Sequence, residues 1–118
     1  MTKPILVCMS WRGGRRLQRC LDSIATSARY FSRTVISVSA EVTSADLQRA
    51  RAFAKQHPGV EVLCHGEELP TMQHQAMWVT YLIETGANRS DWVLWLAHDD
   101  ELRTDGIGRL VDDDGPEA

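Results

Sequence analysis

Asp99, Asp100 and Glu101 are three consecutive hard oxygen donors, with His98 just before them. Adjacent carboxylates suit Mg2+ or Mn2+ better than zinc, and a cation held there would offset the charge of a diphosphate and stabilise it as a leaving group. A short acidic run also serves, more blandly, as a helix cap or a solvated turn. Its position favours a site. The acids follow directly on residues 92–97, Trp-Val-Leu-Trp-Leu-Ala, the most apolar run of the chain. Such a run, bounded by polar residues, reads as a strand buried on both faces. In open α/β sheets ligands bind beyond the carboxyl ends of the strands, where these acids would stand.

The elements that must position the acids follow from the spacing of apolar residues. Residues 4–9 form a first strand, broken by the turn-prone loop Ser10-Trp11-Arg12-Gly13-Gly14. Leu17, Cys20, Leu21, Ile24 and Ala28 recur at helical spacing, which predicts a helix from Arg15 to about Ser27. Residues 34–39 are β-branched and predict a second strand. Thr43 or Ser44 can cap the next helix, with Leu47, Ala50, Phe53 and Ala54 on one face, and Pro58-Gly59 stop it near Gln56. Residues 60–64 predict a third strand. Pro70 can open a third helix, which runs to the stop at Gly86. The order β-α-β-α-β-α-β predicts an α/β fold, a Rossmann-like parallel sheet of about four strands with helices on both faces. Residues 1–102 form this domain. Thr104-Asp105 can cap a short helix, and residues 103–118 read as an acidic, disordered tail.

The remaining signals bound the function. At 118 residues, 43% hydrophobic and 25% charged, the chain suits one globular domain. A net charge of −3 argues against a nucleic-acid surface. Arg12, Arg15, Arg16 and Arg19 form a local basic cluster, more commonly a solvated helix face than a phosphate contact. Cys8, Cys20 and Cys64 are odd in number and lack C-x-x-C spacing, which predicts buried, reduced thiols and a cytoplasmic setting. The Gly13-Gly14 turn follows a strand, as phosphate loops do, but spells none of their motifs. His57, His65 and His74 have no metal-site spacing and read as surface or satisfied histidines. Trp78, Trp92 and Trp95 read as core. Trp11 can either pack or stack on a base. The His98-Asp99 pair also occurs in an all-helical metal phosphohydrolase family, against which the strand context argues.

Taken together, residues 4–9, the helix with Leu17-Gln18-Arg19-Cys20-Leu21-Asp22-Ser23-Ile24, residues 34–39 and residues 92–102 resemble the N-terminal, nucleotide-sugar-binding half of an inverting GT-A glycosyltransferase of the family 2 type. That family has an L-x-x-C-L-x-S-I helix and a strand delivering a D-x-D metal motif. The resemblance implies a nucleoside-diphosphate sugar as ligand and Mn2+ or Mg2+ as cofactor. It makes Asp99 the principal metal ligand with Asp100 beside it, while Ala97 stands where the family's first acid would be. Ser39 and Ala40 stand at the family's two acids after strand two, the first of which recognises uracil. Ser39 can still hydrogen-bond a base, and Glu41 lies close by. Ser10, Trp11 and Arg12 replace the family's Pro-Thr-Tyr-Asn turn.

The resemblance also implies that the acceptor site and the catalytic base, an Asp or Glu that deprotonates the acceptor hydroxyl, lie outside this chain. The chain alone is then expected to bind a donor nucleotide and transfer no sugar, with peripheral membrane association a property of the full-length enzyme. An alternative is a non-catalytic α/β remnant acting through self-association, as a homo-oligomer, or through a partner chain. A third reading keeps the same acids in a metal-dependent phosphohydrolase or nucleotidyltransferase.

Overall fold

The computed structural model describes residues 3–88 and 91–97. Four strands and three main helices alternate along the chain: β1 (Ile5–Ser10), α1 (Arg15–Ser27), β2 (Arg33–Val38), α2 (Ala45–Gln56), β3 (Val60–Cys64), α3 (Thr71–Glu84) and β4 (Val93–Ala97), with a single 3-10 turn at Ala28–Tyr30 after α1. All pairings are parallel, in the order β3-β2-β1-β4. The expected architecture is therefore present, with element boundaries within a residue or two of the sequence reading. Ser44 is the cap of α2, its hydroxyl accepting from the Asp46 amide at 3.1 Å. Pro70 sits at the cap position of α3 rather than inside its first turn, so its missing N–H costs the helix nothing.

Alternation along the strands divides the core in two. Leu6, Cys8, Ile36, Val38 and Leu96 point to one face, where Leu17, Cys20, Leu21 and Ile24 of α1 and Leu47, Ala50 and Phe53 of α2 cover them. Ile5, Val7, Met9 and Val35 point to the other, under Trp78 and Leu82 of α3. α3 is further tied to the sheet by Glu61, whose carboxylate accepts two bonds from Arg33 at 2.7 and 2.9 Å and one from the Tyr81 hydroxyl at 2.7 Å. The cysteines are free thiols, Cys8 and Cys20 fully buried with their sulfurs 3.4 Å apart, and Cys64 half-buried.

One expectation is corrected. The strand buried on both faces is β1, every residue of which is buried, and not the Trp-rich run before the acids. β4 stands at a sheet edge among the described strands, and its Trp95 is 48% exposed although its ring touches that of Trp78, 6.4 Å between centroids. Composition identified a strand there but not its place in the sheet, because an apolar run looks the same in the middle of a sheet and at its margin. Trp95 is thus only partly core, whereas Trp78 is core as expected, at 5% exposure. The short helix and acidic tail expected beyond Leu102 lie outside the described residues, as does any structural test of the boundary at 102–103.

Leu21 is wholly enclosed between α1 and the sheet, whereas Ile83 on α3 is 65% exposed. Leu21→Ala is expected to lower the unfolding free energy by about 2–5 kcal/mol, and Ile83→Ser to change it by no more than about 0.5 kcal/mol. Urea titration of the two variants checks this, and comparable losses would contradict the placement of the core.

Candidate functional site

The strand order creates a crevice. From β1 the chain steps outward through β2 to β3, with α1 and α2 on one face, then returns through α3 on the opposite face to lay β4 on the free side of β1. Connections diverge between β1 and β4, and at such a switch point the loops leave a gap beyond the carboxyl ends of the strands. A cavity of about 440 Å³ opens there, walled by Met9, Trp11, Leu69, Pro70, Trp95 and Ala97, with Ser10, Glu68, Thr71 and His74 as its polar members.

The structure brings three of the sequence-derived nucleotide contacts to this cavity or its rim. Ser10, the last residue of β1, is fully buried; its carbonyl accepts from the Ser39 amide at 2.9 Å, and its hydroxyl has no hydrogen-bond partner among the described residues. Trp11, 49% exposed, stands at the mouth. The Arg12 guanidinium lies 5.0 Å from the Trp11 ring centre and forks onto Glu68, its Nε and Nη2 donating to the two carboxylate oxygens at 2.9 and 3.1 Å. Arg12 takes φ of 51°, a left-handed conformation that a non-glycine residue adopts only under local constraint.

Ser39 and Glu41 sit differently. Ser39 is fully buried, and its hydroxyl accepts from the Leu69 amide at 2.7 Å and reaches the Leu69 carbonyl at 3.4 Å, so it fixes the segment that forms one cavity wall. Glu41 is exposed and borders a shallower depression shared with Glu68. The metal candidates Asp99 and Asp100 lie outside the described residues; Ala97 is the last described residue before them and lines the cavity.

The Gly13-Gly14 turn follows a strand as phosphate loops do, but its amides are already engaged within the protein. Gly13 and Gly14 donate to the two oxygens of Asp46, at 2.7 and 3.0 Å. Asp46 is only 7% exposed, and a buried carboxylate must be fully paired; Arg49 adds a third partner at 3.2 Å. The protein's own carboxylate therefore occupies the place an external phosphate would take.

Sequence spacing missed a second cluster. The Ser37 hydroxyl meets Nε2 of His74 at 2.8 Å and Nε2 of His65 at 3.0 Å, and the two rings pack edge to face, 4.9 Å between centroids. One histidine accepts the serine proton while the other donates to the oxygen, which is possible with both rings neutral, and Nδ1 of His65 is buried with no partner among the described residues. Burial, reinforced by the neighbouring His65, pushes the His74 pKa down to about 4, and burial lowers that of His65. The available signal was Ser37 itself, a polar residue set between the apolar Ile36 and Val38 of a buried strand, which demands partners from elsewhere in the fold. Among the described residues no group of three or more His, Cys, Asp or Glu is arranged to hold a metal, and no helix is long and apolar enough to cross a membrane.

No known family's sequence profile matches the chain, and no curated protein sequence matches it. Its fold is similar to that of a solved 4-diphosphocytidyl-2C-methyl-D-erythritol synthase, with a TM-score of 0.71 and 20% sequence identity, over 95% of this chain and 54% of that one. The chain thus spans about half the length of the synthase, and at this identity the likeness is one of fold.

The histidine pair gives stability a pH dependence of definite sign. His74 stays neutral when folded down to about pH 4 but takes up a proton near pH 6.5 when unfolded, so its contribution is intact above about 6.5 and is lost as pH falls through the interval down to about 4. The slope approaches about 1.4 kcal/mol per pH unit for one proton. Urea midpoints measured at pH 7, 6 and 5 should fall more steeply for the parent chain than for His74→Gln; parallel curves would show that His74 is not buried and neutral. Asp46→Ala, which strands two loop amides, is expected to cost about 2–3 kcal/mol in the same assay.

Proposed function

We propose that this chain binds the diphosphate-linked nucleotide of a group-transfer donor in the crevice beyond β1 and β4. The observation that carries the reading is the cavity itself: it lies at the switch point of a parallel sheet, is mainly apolar, and has an aromatic ring and a guanidinium at its mouth. Trp11 offers a face to a base, and Arg12 offers the planar fork that matches phosphate oxygens. The Ser10 hydroxyl, unpartnered among the described residues, supplies a further hydrogen bond, Ser39 acts by holding Leu69 in place, and Glu41 stands at the neighbouring depression that Glu68 also borders. Asp99, two residues beyond Ala97, and Asp100 are the proposed ligands for Mg2+ or Mn2+, which would neutralise part of the diphosphate's charge. The donor in this reading is a nucleoside-diphosphate sugar, as the glycosyltransferase resemblance implies. Binding, rather than complete transfer, is the activity proposed for this chain.

The likeness in fold to the synthase favours a second reading, nucleotidyl transfer, in which a nucleoside triphosphate binds the same crevice and pyrophosphate leaves. The two readings share the site and differ in the product released.

Calorimetry with UDP, CDP, GDP and ADP in the presence of Mn2+ tests the common part. At least one nucleotide is expected to bind, and Asp99→Ala is expected to weaken it by about tenfold or more, a change of about 1.4 kcal/mol. No heat with any nucleotide would refute the site, and an unchanged affinity in the Asp99 variant would refute the metal assignment. Pyrophosphate release from UTP or CTP, assayed on the same protein, would select the second reading.

A further inference from the structure

We propose that Glu68 is a built-in competitor for the anion-binding site at Arg12: its carboxylate holds the guanidinium fork in the free protein and gives way to a phosphate of the ligand. This rests on the reading of the crevice as a nucleotide site and adds to it the group that a ligand must displace.

The first loop carries two anion-recognising features, and each is occupied by a carboxylate of the protein. The Gly13 and Gly14 amides hold Asp46, and the Arg12 fork holds Glu68. Their surroundings differ in kind. Asp46 is buried, bonded three times and fixed on α2, so its removal would leave amides unpaired. The Arg12 and Glu68 side chains are 67% and 44% exposed, and an ion pair in such surroundings contributes little net stability, so Glu68 can turn into water at the cost of this pair and of the hydrogen bond it also takes from the exposed Trp11 side chain. The fork geometry that accepts a carboxylate in two bonds accepts a phosphate equally well. Each partner strengthens the charged form of the other through their shared hydrogen bonds, so both are ionised at neutral pH.

Both partners are also held at the mouth. Arg12 is constrained by its left-handed backbone and by the Trp11 ring, and Glu68 by its neighbour Leu69, which Ser39 anchors. The pair bridges the β1–α1 loop and the segment before α3, across the opening of the cavity. While Glu68 holds the fork, its carboxylate repels an incoming anion, and Glu41 borders the depression next to it. In this arrangement Glu68 lowers affinity for weakly charged anions and leaves the site to ligands whose charge suffices to take Arg12.

Inorganic pyrophosphate without metal is the probe, which keeps the test independent of Asp99 and Asp100. Calorimetric titration is expected to show Glu68→Gln binding pyrophosphate about three- to tenfold more tightly than the parent, with the gain shrinking at 0.5 M salt, on the order of ordinary screening of an exposed pair. Arg12→Gln should abolish the difference, so that the double variant matches Arg12→Gln alone. Thermal melting of each variant establishes that it is folded, as expected for two exposed positions. Pyrophosphate bound equally or more weakly by Glu68→Gln would overturn the competition while leaving the nucleotide site standing. Absence of binding by both the parent and Glu68→Gln would overturn the anion site at Arg12 and the competition with it, while the nucleotide site stands or falls on the Mn2+ calorimetry.

Discussion

Everything in this fold depends on β1 being buried from end to end. A strand enclosed on both faces has no water to satisfy its backbone, so its hydrogen-bonding groups must find partners in adjacent strands. β2 on one side and β4 on the other provide them, in parallel register along its length. Parallel strands require crossovers, and the crossovers supply the helices that cover the two faces. α1 and α2 share one face and α3 takes the other, a division forced once β4 lies on the far side of β1 from β2 and β3. The crevice follows from the same constraint. It is the gap left where connections from a single central strand run in opposite directions.

The chemistry at that gap is governed by the need to pair buried or constrained polar groups. Asp46 is drawn to the Gly13 and Gly14 amides because both sides would otherwise lack partners in a nearly dry environment. Ser39 serves the Leu69 amide, and Ser37 is shared between two histidines held neutral by burial. These contacts fix the scaffold around the cavity, while Trp11, Arg12 and Glu68 beside its mouth are exposed, as are Pro70, Thr71 and Trp95.

The resemblance to a glycosyltransferase half and the likeness in fold to a synthase meet at the level of architecture. Both describe a parallel α/β sheet with helices on its two faces. They part at the reacting centre, which depends on groups beyond the strands rather than on the sheet.

Local patterning determined a good deal here. The alternation of apolar runs with helical spacing gave all four strands and three helices, and Pro58-Gly59, Ser44 and Pro70 marked their limits, because strand and helix periods and the backbone limits of Pro and Gly are properties of short stretches. The loop after β1, expected from the sequence to follow a buried strand, borders the cavity through Ser10 and Trp11. Tertiary structure decided which strand is central, since β1 and β4 are both short apolar runs and only the sheet order separates them. It decided that Asp46 fills the glycine turn, 32 and 33 positions away in sequence. It also joined Ser37, His65 and His74, and set Glu68 on Arg12, 56 residues apart. Such pairings arise because buried or confined polar groups must be matched wherever the chain brings a partner within about 3 Å, and sequence spacing carries no record of that distance.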